Sequence, residues 1–74
     1  VDNGELGRKL EEIRVARKLT QRSLASRTPG VTAQGISLIE NGERYPTLVT
    51  LEALAKSLKC RFTIDPDGVR CQTL

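Results

Sequence analysis

Residues 19–42 read LTQRSLASRTPGVTAQGISLIENG, and the punctuation of this stretch decides the fold. Thr20 and Thr32 stand where a side-chain oxygen can accept from a backbone N–H of the first helical turn, the position that caps a helix. Thr28-Pro29-Gly30 ends the first segment, because the residue before Pro avoids helical dihedrals and Gly permits a sharp turn. Asn41-Gly42 ends the second, both residues tolerating left-handed dihedrals. Two short helices are expected, over about residues 21–27 and 33–41, joined by the turn 28–31. Leu24 and Ala25 would face inward from the first; Ile36 and Ile39, with Val31 just before them, from the second.

Reading outward from this pair adds two helices and a tail. Upstream, Leu6, Leu10 and Ile13 at i, i+4, i+7 make one apolar stripe over about residues 4–17. Asp2 or Asn3 would cap this helix, Asp2 with Glu5 having capping-box spacing. Arg17 and Lys18 lie at its C-terminus, where cations suit the macrodipole. Downstream, residues 43–46 form a loop and Thr47 caps a helix over about residues 48–58, with Leu48, Leu51, Leu54, Ala55 and Leu58 as its apolar face. Residues 61–64 and 69–72 then alternate polar and apolar around Asp65-Pro66-Asp67-Gly68, a strong turn signal, so a β-hairpin is expected. The fold class is a small all-α, four-helix domain over residues 1–59. A β-hairpin or strand over residues 60–74 follows as the expected dimerisation element.

Composition narrows what such a domain does. Seventy-four residues bury only about 60% of their unfolded surface, enough for one small core and too little for a second domain with a deep cleft. Tyr45 and Phe62 are the two aromatics and there is no Trp, so aliphatics build the core. The absence of His removes the commonest general base and metal ligand. Two Cys cannot hold a zinc ion without help, and two aromatics make no base-stacking platform. These absences argue against an enzyme, and neither a cofactor nor a metal is expected. The Asp65–Gly68 stretch hints at a calcium loop, but the later ligands of the twelve-residue pattern are missing, so it reads as a turn. No stretch resembles a signal peptide and no apolar run approaches the ~18 residues of a membrane span. A cytoplasmic protein with reduced thiols is expected, a Cys60–Cys71 disulfide being the alternative.

The net charge is +3, unevenly spread. Residues 13–39 hold no acid but carry Arg14, Arg17, Lys18, Arg22 and Arg27. Such a block suits a polyanion, or is simply a solvated basic face. The two short helices and their turn suggest a helix-turn-helix. With Val31, Ile36 and Ile39 anchoring the second helix, Ala33, Gln34, Ser37, Leu38 and Asn41 point away from the core. They are small or uncharged, as side chains that approach base edges in a major groove must be.

Leu19-Thr20-Gln21, Leu24-Ala25, Val31-Thr32, Ile36-Ser37, Ile39-Glu40-Asn41-Gly42, Pro46-Thr47-Leu48, Leu51, Leu54-Ala55 and Leu58 together resemble the Cro and phage-repressor type of helix-turn-helix domain, the lambda repressor-like family. The resemblance runs over about residues 6–58. It implies a DNA-binding domain with residues 33–41 as the recognition helix. Ala33, Gln34, Ser37 and Leu38 would then read bases. Gln21 would meet a phosphate while bracing the recognition helix, and Asn41, Arg44, Tyr45 and Thr47 would lie along the DNA backbone. Arg14 and Glu40 would pair between the first and third helices. Arg17, Arg22 and Thr32 join the backbone set as neighbouring cations and a cap. The partners implied are a double-stranded DNA operator and a second copy of the chain, with no membrane.

Three features depart from the common pattern. The turn 28–31 is one residue longer than the usual spacing. Ala33 stands where relatives carry a long polar reader and can touch only a thymine methyl, which shifts readout towards Gln34 and Ser37. The tail forms a hairpin where relatives have a fifth helix, which resembles certain antitoxins of this family and leaves open a toxin protein as partner. Gly35, costing roughly 1 kcal/mol in a helix interior, either lets the backbone approach DNA or is tolerated slack.

Overall fold

A computed structural model describes residues 3–73, apart from the side chains of Asn3, Asp65 and Thr73. The elements are α1 (Asn3–Ala16), α2 (Gln21–Arg27), α3 (Ala33–Glu40), α4 (Leu48–Leu58), β1 (Cys60–Asp65) and β2 (Gly68–Thr73). The cap expected at Asp2 or Asn3 lies outside the described residues and side chains. Threonine starts each of the next three helices in the same way. The Oγ1 of Thr20 accepts from Ser23 N–H at 3.0 Å, that of Thr32 from Gly35 N–H at 3.0 Å, and that of Thr47 from Thr50 N–H at 3.2 Å.

The helix ends differ from expectation in small ways. α1 stops at Ala16 and Lys18 takes a left-handed φ of 59°. α3 stops at Glu40, with Asn41 still right-handed at φ −82°; Gly42, at φ 79°, makes the left-handed step alone. Gly30 does the same in the α2–α3 turn, also at φ 79°. Thr28, buried at 1% exposure, donates to the Leu24 carbonyl at 2.8 Å and meets the Ser57 hydroxyl at 2.8 Å. The turn is thereby tied to α4 by a side chain whose backbone also ends α2.

The core is aliphatic, as the composition requires. Leu10, Leu24, Ile36, Ile39, Leu54 and Leu58 form its main cluster with Cys60, and Leu6, Leu51 and Val69 a second, Phe62 packing against both. Leu48 corrects the expected α4 face. It is 70% exposed and its neighbour Val49 77% exposed, because the buried stripe of α4 runs through Leu51, Leu54 and Leu58 alone. Helix α1 reaches α3 through Gly7, which lies against the backbone carbonyls of Ile39 and Glu40 so closely that a Cβ would overlap them.

The hairpin is antiparallel, with Cys60 opposite Thr73, Phe62 opposite Cys71 and Ile64 opposite Val69. Each strand is one residue longer at both ends than the alternation indicated. Cys60, Phe62, Val69 and Cys71 pack on the helices, while Arg61, Thr63, Arg70 and Gln72 are exposed. Val69 N–H donates to Glu5 Oε1 at 3.3 Å, fastening β2 to α1. Both cysteines are free thiols. Burial, and then a hydrogen bond with Cys71, push the Cys60 thiol up from 9.0 to about 12.

Candidate nucleic-acid interface

Helix α3 presents two chemically distinct sides. Gly35, Ile36, Ile39 and Glu40 are buried. Gln34 and Asn41 are exposed, and Ala33, Ser37 and Leu38 half-exposed. The outward set is the one expected from sequence, and it carries no charge. Its rigidity comes from what lies behind it.

The Glu40 carboxylate is 1% exposed and receives three donors: Arg14 Nε at 2.7 Å, Arg14 Nη2 at 3.2 Å and Gln21 Nε2 at 2.9 Å. Arg14 Nη1 also donates to the Leu19 carbonyl at 2.7 Å. A two-pronged arginine–carboxylate pair is directional as well as strong. Here it joins α1, the α1–α2 loop, the start of α2 and the end of α3 at one point. Hydrogen bonding is what makes a buried carboxylate tolerable, since an unpaired buried charge is expensive. Gln21 therefore braces α3 by direct contact.

At the other end of α3, Thr32, Arg44, Tyr45 and Thr47 come together around a cleft of about 340 Å³ that also takes in Gly35 and Thr50. A Cβ at Gly35 would lie 3.2 Å from Thr32 Oγ1 and 3.8 Å from Arg44 Nη1. Gly35 is thus packed beneath the Thr32 cap, with the Arg44 guanidinium nearby. The cleft joins the N-termini of α3 and α4, whose unpaired N–H groups favour negative charge.

The remaining expected residues are more scattered. Arg22 is exposed on the first turn of α2, and Asn41 is exposed at the far end of α3. Arg17 is placed elsewhere. Its Nε donates to the Leu58 carbonyl at 3.0 Å and its Nη2 to that of Lys59 at 3.4 Å. It satisfies carbonyls at the C-terminal end of α4. Sequence reasoning missed this role, along with the α1–α3 approach at Gly7. The signal for Gly7 was its position on the buried side of α1, next to Leu6 and three residues before Leu10. Among the described residues no helix is long and apolar enough to cross a membrane.

A model of the helix-turn-helix family matches residues 10–64, and the chain belongs to that family. It is also 48% identical over 57 residues to the HTH-type transcriptional repressor RghR of Bacillus subtilis (strain 168). That match takes in 76% of this chain and 42% of the relative, so the chain spans less than half the length of the protein it resembles. No solved structure matched.

Proposed function

We propose that the chain binds specific sites on duplex DNA as a dimer and represses transcription, with α3 in the major groove. The observation that carries the reading is the uncharged outward side of α3, held rigid at one end by Glu40 and flanked at the other by the Thr32–Arg44–Tyr45–Thr47 cleft. Gln34 pairs with adenine in the manner its amide allows, Ser37 bonds a neighbouring base edge, and Ala33 and Leu38 lie against thymine methyls. Arg44, Tyr45, Thr47 and Thr32 hold one phosphate run; Gln21, Arg22 and Asn41 contact the backbone beside it. The name of the Bacillus relative, a transcriptional repressor, supports the direction of regulation.

Pairing follows from the size of the interface. One short helix makes few base contacts, and helix-turn-helix proteins reach specificity by placing two half-sites about 34 Å apart. The hairpin of β1 and β2 supports pairing because a two-stranded sheet leaves strand edges open. The same hairpin supports a second reading, an antitoxin that also binds a toxin protein; a co-purifying partner encoded beside it distinguishes the two. The test of the DNA reading is selection from a random duplex library followed by titration at increasing salt. A symmetric site with steeply salt-dependent affinity is expected. Absence of duplex binding at low salt overturns the proposal.

A further inference from the structure

A second concavity, larger than the cleft beside α3, shares no lining residue with it. It is a groove of about 880 Å³ between the end of α2, the outer side of α4 and β1. Its two ends differ. At the start of α4 stand Leu48 and Val49, 70% and 77% exposed. Around the later half of α4 lie three exposed cations from three elements, Arg27, Lys56 and Arg61. The Arg27 carbonyl accepts from the Ser57 hydroxyl at 3.1 Å, which sets the end of α2 beside Lys56. Among the described residues, none of these three cations forms an ion pair within the chain. Glu52 is the one acid among the lining residues.

We infer that this groove receives a short acidic segment of another protein, with apolar side chains at one end and carboxylates at the other. Both halves of the surface argue for that chemistry. A concave wall lined by one sign of charge concentrates its potential. Opposite charge on a partner then sets both the encounter rate and the choice of partner. Large exposed apolar side chains at the mouth of a groove mark a surface that is covered in use. Leu48 and Lys56 both line the groove from α4 and lie about 12 Å apart along the helix axis. The segment spans that distance between its apolar and its acidic side chains. Glu52, midway between them, fixes the direction. Carboxylates at the Leu48 end would meet Glu52, whereas at the Lys56 end they meet three cations.

Charge argues against two other occupants. A second copy docked here by the same surface would set three cations against three cations, with one acid on each side. A nucleic-acid backbone would satisfy the cations but would leave Leu48 and Val49 facing phosphates and water. None of the lining residues belongs to α3, so a segment seated in the groove leaves Gln34 and Ser37 open. The inference does not rest on the DNA reading, and it is measured without DNA.

The experiment is selection of a random library of peptides, about a dozen residues long, against the folded chain. Affinities of the enriched peptides, made synthetically, are then measured. Enriched peptides are expected to carry Asp or Glu towards one end and large apolar residues towards the other. They should bind more weakly as salt rises, because the rim is exposed. Lys56→Glu with Arg61→Glu should raise their dissociation constants at least about tenfold. Leu48→Ser with Val49→Ser should do the same. All four side chains are exposed, so folding should be unchanged, which circular dichroism melts check. Glu52→Gln should bind the peptides at least as tightly as wild type. A library that yields no peptide overturns the proposal, as do enriched peptides without acids or indifferent to both double variants. So does a rim whose charge reversal weakens duplex DNA while no acidic peptide is selected. Acidic peptides that bind a chain with no affinity for duplex DNA would uphold this groove and sink the DNA reading alone.

Discussion

The outward sides of α3 and α4 are both open to solvent, yet their chemistry differs. On α3 and its C-cap, Gln34 and Asn41 are exposed and Ala33, Ser37 and Leu38 half-exposed, a small, uncharged and mixed set; on α4 the exposed residues begin with the large apolar Leu48 and Val49. Helix α3 is eight residues long, too short to be stable alone. It is held by the Glu40 carboxylate at one end and the Thr32 cap at the other, so its outward side chains are free of structural duty. Helix α4 is anchored by Leu51, Leu54 and Leu58 and capped at its C-terminus by Arg17. It leaves two apolar side chains at its start with no partner in the core. One side is uncharged, and the other begins with two exposed apolar side chains.

That contrast is broken most severely at the anchor of α3. Arg14→Ala leaves the Glu40 carboxylate buried with Gln21 as its remaining side-chain donor. Loss of one partner of a buried pair costs about 3–5 kcal/mol, a large share of the stability of a small domain. Urea unfolding should show a much lower midpoint at unchanged slope. A variant as stable as wild type would show that the clamp does not hold α3.

Next come two glycines that face different neighbours. Gly7 meets backbone carbonyls, which cannot move aside. Gly7→Ala should therefore cost about 1–3 kcal/mol, even though Ala favours a helix by about 1 kcal/mol over Gly. Gly35→Ala meets a hydroxyl at 3.2 Å and an arginine tip at 3.8 Å, both able to shift slightly. Its stability should be close to wild type, because the propensity gain offsets the tight contact. Thermal melts of the two variants side by side check this; equal changes would remove the distinction between backbone and side-chain neighbours.

A smaller effect concerns the hairpin. Burial keeps the Cys60 thiol protonated, raising its pKa from 9.0 to about 12. Between these values the unfolded chain gives up its proton and the folded chain retains it. The contribution of Cys60 to stability is therefore full below pH 9 and declines as pH rises towards 12. Melting temperature should fall over that range, and Cys60→Ala should flatten the fall. An identical alkaline profile in the variant would show that Cys60 ionisation is not the cause.

What sequence revealed about this molecule follows the range of each interaction. Thr20, Thr32 and Thr47 were legible as caps because each hydroxyl acts on a backbone group three residues away. The hairpin was legible because alternation and a Pro-Asp-Gly turn are local signals. Arg17 was not, since the carbonyls it caps lie 41 and 42 residues further along the chain. A cation after a helix reads equally well as a phosphate contact. Gly7 was missed because its need for glycine comes from α3. Leu48 was misplaced because an exposed apolar residue has the same helical spacing as a buried one. The outward residues of α3 were found by subtraction, once Ile36 and Ile39 were assigned to the core.

The central claim is that the outward side of α3 reads bases, and Gln34 is its most exposed test. The measurement is the affinity of wild type and Gln34→Ala for a selected duplex site and for a scrambled duplex, at one salt concentration. Gln34→Ala should weaken the selected site by about 1–3 kcal/mol and leave the scrambled duplex almost unaffected. Equal losses on both duplexes, or no loss on either, would contradict the assignment of α3 as the reading helix.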